Sequence, residues 1–203
     1  MSFPSNLEIN QLQLTITSMR IQNWLGEDLF RFQWWLLVGI LIIPWIVWVK
    51  MVDRTRIFEL LAYGFLFSII TGLVDAIGIE LGLFIYPYKL MPIVPRLLPA
   101  VFGLVPVSFM LLYQFSDSWR SFIINNIIFG AVAAFILQPI AKYLGMYQML
   151  HWSYFYSFVV YILAAVSLRW LNLRFKALYT KKRDANLTSD RMVTSPAFKK
   201  RAE

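Results

Sequence analysis

Apolar residues fall into five long blocks of the sequence and do not alternate with polar ones. Each block holds roughly 20 mostly apolar residues, the length with which an α-helix crosses the hydrocarbon core of a bilayer. A helix is expected because a lipid-exposed strand would leave its backbone amides unpaired. The five predicted spans are residues 32–49, 57–79, 97–115, 122–141 and 152–171. The pattern therefore predicts an all-α, polytopic membrane helix bundle of five transmembrane helices.

Basic residues are distributed unevenly between the two sides of this predicted bundle. Most of the 19 lysines and arginines lie in loops one and three, counted between successive spans, and after span five. Cytoplasmic segments carry such an excess, so we predict the N-terminus outside and the C-terminus in the cytoplasm. The chain then divides into an extracytoplasmic amphipathic segment (1–31), a transmembrane domain (32–172) and a basic, disordered cytoplasmic tail (173–203).

The basic tail predicts contact with anionic lipid headgroups, which attract juxtamembrane lysines and arginines. Nucleic acid is not an expected partner, because the tail shows no repeated interleaving of basic and aromatic residues for stacking on bases.

Composition excludes several classes of protein. Hydrophobic residues make up 59% of the chain and charged residues 15%, far from the balance of a soluble enzyme or a disordered chain. The chain has no cysteine, which excludes thiol catalysis and cysteine-based metal sites. Its single histidine, His151, precedes span five and is expected to be an interfacial polar residue. No motif of a zinc protease, serine hydrolase or P-loop protein occurs, so we expect no catalytic residues and no cofactor.

Two carboxylates lie in the second span or at its end, where an unpaired charge is costly. Asp75 and Glu80 are about 140° apart on a helix, so they do not form a paired-carboxylate site by themselves. Asp75 lies within about 20° of Ser68 on the helical wheel and is predicted to point into a packed face. Glu80 is predicted to sit at the outer end, where water reaches it. The packed face is a row of small residues, Gly64, Ser68, Gly72 and Ala76.

A second row with the same spacing lies within the fourth span: Asn126, Gly130, Ala134 and Gln138. Small residues allow helices to approach closely, so the two rows are predicted to pack together, with the amides bonding the carboxylates. One interpretation is that this polar seam only fixes the helix register. The other is that Asp75 handles a proton or another cation.

The segment between spans two and three, residues 86–99, contains four prolines. Proline has no amide donor and blocks a helix, so the segment is predicted to be rigid, extended, and at the interface or folded back on the bundle. Lys89 and Arg96 lie on the predicted side of Glu80 and are expected to pair with it or to bind an anionic headgroup. The candidate binding residues are Asp75, Glu80, Lys89, Arg96, Asn126 and Gln138, with no candidate metal ligands.

Some of these residues belong to a sequence pattern that resembles a known family. They are the run Tyr86-Pro87-Tyr88-Lys89-Leu90, then Pro106-Val107, Leu111-Leu112-Tyr113-Gln114-Phe115 and Trp119. The run resembles an uncharacterised family of small multi-pass membrane proteins from spore-forming Firmicutes. The resemblance covers residues 86–122 and implies a location in the bacterial inner membrane. It implies no activity and no catalytic residues.

The sequence leaves three functional hypotheses. The first is a non-catalytic accessory or scaffold subunit that binds a membrane-protein partner or forms a homo-oligomer. The second is a small solute or ion transporter, or a pore, that uses Asp75 and Glu80. The third is a membrane-embedded enzyme, which would require Asp75, Glu80 and His151 to converge from separate parts of the chain.

Overall fold

The computed structural model describes residues 3–94 and 97–194, with the backbone course alone for 179–194. The helices are α1 (Asn6–Asn23), α2 (Phe32–Met51), α3 (Ile57–Glu80), α4 (Val105–Gln114), α5 (Trp119–Val132), α6 (Gln138–Tyr143) and α7 (Tyr154–Thr194). They are joined by π-helical segments at Trp24–Asp28, Ala100–Leu104 and Ala133–Leu137, and by a 3-10 turn at Arg54–Arg56. Two short strands, β1 (Phe84–Ile85) and β2 (Gln148–Met149), pair antiparallel. Apart from this ladder the described chain is all-α.

Four helical stretches are long and apolar enough to cross a membrane: Phe32–Met51, Arg54–Glu80, Trp119–Tyr143 and Tyr154–Leu178. By the length and composition of these helices, the chain is a multi-pass helical membrane protein. The predicted span 97–115 is instead a shorter apolar helix, Ala100–Gln114. At 1.5 Å per residue it measures about 22 Å, less than the roughly 30 Å of a bilayer core.

The short helix runs antiparallel to α3 along much of its length. Gly72 of α3 faces Val101 near its start, and Glu59 of α3 accepts a hydrogen bond from Tyr113 near its end. We call the two ends of the bundle the loop-two end, where loops two and four lie, and the loop-one end, where loops one and three lie.

A glycine ends α3 at the loop-two end. Gly82 has a φ of 65°, a left-handed conformation that glycine adopts without strain. Its N–H donates to the carbonyl of Ile79 at 3.0 Å, and Leu83 N–H donates to the carbonyl of Gly78 at 2.8 Å. This pair of bonds is a Schellman motif, which satisfies the last carbonyls and stops the helix at Glu80.

A proline interrupts the short helix near its middle. Pro106 lies two residues after the end of the π-helical segment and has no N–H, so the carbonyl of Phe102, four residues earlier, lacks its usual helical donor. Trp45 of α2 donates its indole Nε1–H to this carbonyl at 2.8 Å. The indole supplies within the bundle a hydrogen bond that hydrocarbon cannot offer.

A second proline has the same effect on α2. Pro44 lies inside that helix, so the carbonyl of Ile40 lacks its usual helical donor. Gly103 packs against this point, since a Cβ built on it would lie 2.5 Å from Ile40 O and 2.8 Å from Leu41 Cα. The two proline-interrupted stretches therefore meet backbone to backbone, at a residue where only glycine fits.

Aromatic side chains fill the centre of the bundle. Tyr63, Phe67, Phe109 and Phe122 are fully buried where α3, α4, α5 and α7 meet. The rings of Phe67 and Phe109 stack with centroids 4.1 Å apart, and Phe129 contacts Phe109 edge to face at 5.3 Å. Because this layer contains stacked rings and few polar groups, it separates the two ends of the bundle.

The two small-residue rows do not pack against each other, so that prediction is wrong. Gly64 and Gly72 of α3 face Met110 and Val101 of the short helix, whereas Gly130 of α5 faces α7. A row of small residues marks a face that another helix can approach, but it carries no information about which helix does so.

The described helix α7 continues to Thr194. The hydropathy pattern instead predicts the end of span five at Leu171, and the composition predicts a disordered tail after it. The chain contains no glycine or proline between Gly145 and Pro196, so no helix-breaking residue stops α7 at the membrane boundary. The predicted disorder of residues 195–203 lies outside the described residues, and the proposed division into three regions stays a prediction.

We predict that Gly103→Ala lowers the stability of the bundle by about 1–3 kcal/mol, the usual cost of overpacking a well-packed site. Thermal unfolding of the purified protein in mild detergent measures the effect. Gly26→Ala is the matched control, because nothing lies within 4 Å of a Cβ built there. Equal melting temperatures for the two variants would contradict the close contact between α2 and the short helix.

Candidate functional site

A cavity of about 80 Å³, lined by both apolar and polar side chains, lies between α3, the short helix, α6 and α7 near the loop-two end. This volume has room for a few water molecules. The helices contribute Thr71, Asp75, Gln138, Ser157 and Tyr161 to its polar lining, and the loops contribute Tyr86 and Tyr147. The cavity therefore combines a carboxylate, hydroxyls and an amide within an apolar bundle.

Asp75 is the acidic residue of this cavity. It is 8% exposed, so the prediction that it points into the packed interior is confirmed. Tyr86 donates its hydroxyl hydrogen to Asp75 Oδ1 at 2.5 Å. Burial raises the pKa of Tyr86 well above its ordinary value, which keeps the phenol protonated and able to donate.

Four aromatic rings from loops two and four form the outer wall of the cavity. Phe84 contacts Tyr86, Tyr147 and Trp152 with centroid separations of 5.8, 5.8 and 5.5 Å. The β1–β2 ladder holds the two loops together behind these rings. Trp152 donates its indole hydrogen to Ser157 Oγ at 2.8 Å, which fixes the ring at the start of α7.

Two of the π-helical segments border the cavity. Ala100 and Val101 belong to one of them, and Gln138 directly follows the other. Gln138 Nε2 lies 3.4 Å from the hydroxyl of Tyr161 and donates to it. Single π-helical turns inside α-helices are frequent at functional sites, because they re-aim side chains and loosen the helix.

The other predicted site residues lie outside this cavity. Glu80 is exposed at the end of α3, as predicted, and lines a separate crevice with Arg20 of α1. Among the described residues Glu80 forms no ion pair with Lys89. The pairing of Glu80 with one of Lys89 and Arg96 stays a prediction. Arg96, the other predicted partner, lies outside the described residues. Asn126 is fully buried and donates along its own helix to the carbonyl of Phe122 at 2.7 Å.

Loop two is folded back against the N-terminal part of the chain. Trp24 Nε1–H donates to the carbonyl of Lys89 at 3.1 Å, and Trp34 Nε1–H donates to the carbonyl of Leu90 at 3.3 Å. The backbone N–H of Lys89 donates to Asp28 Oδ2 at 3.3 Å. Of the two predicted arrangements, the described part of this segment folds back on the chain, onto the N-terminal segment and the start of α2, and Lys89 contributes its backbone to the contact. Its place relative to the membrane interface stays a prediction.

A second polar cluster lies at the loop-one end and was not predicted. Glu59 of α3 accepts hydrogen bonds from the hydroxyl of Tyr113 at 2.7 Å and from Lys176 Nζ at 3.0 Å. Its other neighbour is Arg56, one turn earlier, at 3.3 Å. The signal in the sequence was a glutamate three residues after an arginine at the start of a span.

Arg169 of α7 is a buried cation beside this cluster, 7% exposed. Its Nη2–H donates to the carbonyl of Ser116 at 3.0 Å. The guanidinium lies over the rings of Phe122, Trp119 and Tyr113, at 4.3, 5.3 and 5.4 Å from their centroids. Aromatic faces attract a cation, which accounts for an arginine at this depth.

Gln114 fastens loop one to the end of the short helix. Its Oε1 accepts the backbone N–H of Asp53 at 3.0 Å, and its Nε2–H donates to the carbonyl of Met51 at 2.8 Å. The adjacent residues Tyr113 and Gln114, part of the family-like run, therefore bind α3 and loop one respectively.

The geometry suits binding or movement of a small polar species better than the predicted enzyme arrangement. His151 is exposed in loop four, and neither it nor Glu80 lines the cavity of Asp75. In the part of the chain that the structure describes, no three His, Cys, Asp or Glu residues are grouped closely enough to hold a metal ion.

Comparisons of the chain with protein families, curated proteins and solved structures find no match. The resemblance to the Firmicutes membrane family stays a prediction.

We predict that Tyr86→Phe destabilises the protein by about 1–3 kcal/mol, because it removes a hydrogen bond from a buried carboxylate. Thermal unfolding in detergent measures the loss. Tyr143→Phe is the matched control, since that tyrosine is 90% exposed. A Tyr86→Phe variant as stable as the control would contradict the importance of the bond to Asp75.

We predict that Asp28→Asn stabilises the protein at neutral pH. Burial raises the pKa of Asp28, so its ionised form is disfavoured in the fold. A raised folded-state pKa gives stability that is present below the unfolded value near 3.9 and is lost as the pH rises through the folded value. The melting-temperature difference from wild type should therefore be positive at pH 7–8 and vanish near pH 3.5, with exposed Asp117→Asn as control. A melting-temperature difference that does not change with pH would contradict a raised pKa of Asp28 in the folded protein.

Proposed function

We propose that this protein passes a small cation, the proton in the first instance, through the cavity that surrounds Asp75. The observation that carries the proposal is a cavity beside a buried carboxylate, lined in part by one π-helical segment and by the residue that follows another. Carboxylates inside membrane proteins mark ion and proton pathways. Interrupted helices at the same depth are characteristic of transport sites.

The size and lining of the cavity support the proton as the species that moves. About 80 Å³ accommodates a few waters but not a sugar or a nucleotide. Asp75 supplies the titratable group, and the phenol of Tyr86 is already hydrogen-bonded to it. Thr71 and Ser157 add hydroxyls to the same wall, so waters there would complete a hydrogen-bonded chain.

The aromatic layer closes the path towards the loop-one end. Phe67 and Phe109 stack directly below the cavity level of α3. Passage therefore requires a second conformation in which the short helix shifts. The π-helical segment and Pro106 supply a flexible point for this movement, because both loosen the helical hydrogen-bond ladder. Glu59 then provides a carboxylate at the other end of α3, about 24 Å from Asp75 along the axis of that helix.

The proposal includes the membrane topology. The short helix Ala100–Gln114 runs antiparallel to α3, so a fifth crossing would require a locally thinner membrane or flanking residues to complete it. The basic residues of loops one and three favour the N-terminus outside and the C-terminus in the cytoplasm. Arg54, Arg56 and Arg120 then lie on the cytoplasmic side, and the Asp75 cavity lies near the external face. The bacterial inner membrane, implied by the family resemblance, is the proposed location.

The accessory or scaffold role that the sequence analysis favours stays a prediction. It differs from the present proposal in requiring a stoichiometric partner for activity. Participation of Glu80 in transport also stays a prediction, because it lines a different crevice from Asp75.

Proton flux in proteoliposomes tests the proposal. The protein is reconstituted with a pH-sensitive dye inside, and a valinomycin-clamped potassium gradient drives protons inward. We expect wild-type protein to acidify the lumen faster than empty liposomes, and Asp75→Asn to reduce the rate at least tenfold. Asp117→Asn, an exposed loop substitution, should retain the wild-type rate.

The variant must remain folded for the comparison to count, which size-exclusion chromatography and thermal unfolding establish. Wild-type protein that conducts no protons, Na⁺ or K⁺ above the background of empty liposomes would overturn the proposal. Wild-type flux that survives in a folded Asp75→Asn protein would also overturn it, because conduction would then follow another route.

A further inference from the structure

The N-terminal helix α1 carries apolar residues on two opposite faces. Its N-terminus is fixed by a capping box, in which Ser5 Oγ accepts the N–H of Glu8 at 3.2 Å and Glu8 accepts the N–H of Ser5 at 2.7 Å. No residue of the helix is buried. At 100° per residue, one stripe contains Ile9, Leu12, Ile16 and Met19, and the other, about 180° away, contains Leu7, Leu14 and Ile21.

The first stripe has the spacing of a coiled-coil seam. Its residues follow one another by three, four and three positions, which places Ile9 and Ile16 at heptad position a and Leu12 and Met19 at position d. A β-branched residue at a with leucine at d favours two parallel strands. Asn23 occupies the next a position, where a single asparagine specifies register and a two-stranded state.

The seam is open to a partner in the structure. Its four residues are between 42% and 64% exposed. The face of α1 turned towards the bundle is a different one, because Gln13 and Arg20 line the crevice shared with Glu80. The seam therefore lies to one side of the contact between α1 and its own bundle.

We infer that the seam of α1 binds the same seam of a second copy of this chain as a parallel two-stranded coiled coil. The flanking residues are compatible with such self-pairing. In a parallel pair, Glu8 faces Gln13 of the other copy and Thr15 faces Arg20, so no like charges meet beside the seam. The Asn23 side chains of the two copies meet at the end nearest the bundle.

Confinement in one membrane compensates for the short length of the helix. An isolated helix pair of this size is marginal in water. Two copies with the same topology present α1 on the same side of the membrane, which raises the effective concentration of each helix for the other. The inference is independent of proton passage, since it concerns a segment outside the Asp75 cavity.

Disulfide cross-linking tests the inference cleanly, because the natural chain contains no cysteine. Leu12→Cys and Met19→Cys place single thiols at the two d positions, and Leu14→Cys places one on the opposite stripe as the matched control. Each full-length variant is oxidised briefly with copper phenanthroline in native membranes and analysed on a non-reducing gel. We expect a dimer band at both d positions, at least tenfold stronger than that of the control.

A second substitution links the band to the seam. Adding Ile16→Glu to Leu12→Cys should reduce the dimer band several-fold, because two like charges would then meet in the seam, whereas adding Gln11→Glu outside the seam should not. Equal bands at positions 12 and 14 would show random collision and overturn the inference. Absence of a dimer band at both d positions would overturn the inference and leave a lipid surface or another protein as the candidate occupants of the seam. A dimer at one d position alone would indicate crossed or antiparallel helices and overturn the parallel pair.

Discussion

Hydrocarbon offers no hydrogen-bond partner, so polar groups inside the bundle depend on other parts of the chain for their hydrogen bonds. Two tyrosines supply such bonds to the carboxylates of α3. Tyr86 donates to Asp75 at the loop-two end, and Tyr113 donates to Glu59 at the loop-one end. The same need explains the indole of Trp45 on the carbonyl beside Pro106. Polar side chains are thus concentrated at two ends, with a stacked aromatic layer between them.

This separation gives the two ends different capacities. The loop-one cluster joins α3, the short helix and α7 through Glu59, Tyr113 and Lys176, so its hydrogen bonds hold these three helices together. The loop-two cluster instead encloses space beside Asp75, under rings held by the β1–β2 ladder. A carboxylate next to space for water is able to exchange a proton with it, and the loop-one cluster encloses no such space beside Glu59 among the cavities described above.

The features that the sequence predicts are those that depend on the length of an apolar segment and on the cost of exposing a charge to lipid. Hydropathy located the four long helices, and helical spacing placed Asp75 in the interior. It could not identify Tyr86 as the partner of Asp75, because that contact depends on the path of a proline-rich loop. The prediction that the two small-residue rows pack together was wrong for a similar reason, since the spacing of residues on one helix does not specify which helix packs against it. Glu59 was missed although Arg56, one turn earlier, offered a signal.

Proton passage by way of Asp75 requires that water reach the space beside it from the loop-two end and that the aromatic layer close that space from the other end. Thiol accessibility measures this directly in a chain without natural cysteines. Ser157→Cys replaces a hydroxyl that lines the cavity, and Ser68→Cys replaces a buried hydroxyl outside its lining. We expect Ag⁺, a membrane-impermeant, thiol-reactive cation small enough for this cavity, to react with Cys at 157 only from the side of loops two and four and to leave Cys at 68 unreacted. Reaction at 157 equally from both sides, or from neither, would contradict this access from one side.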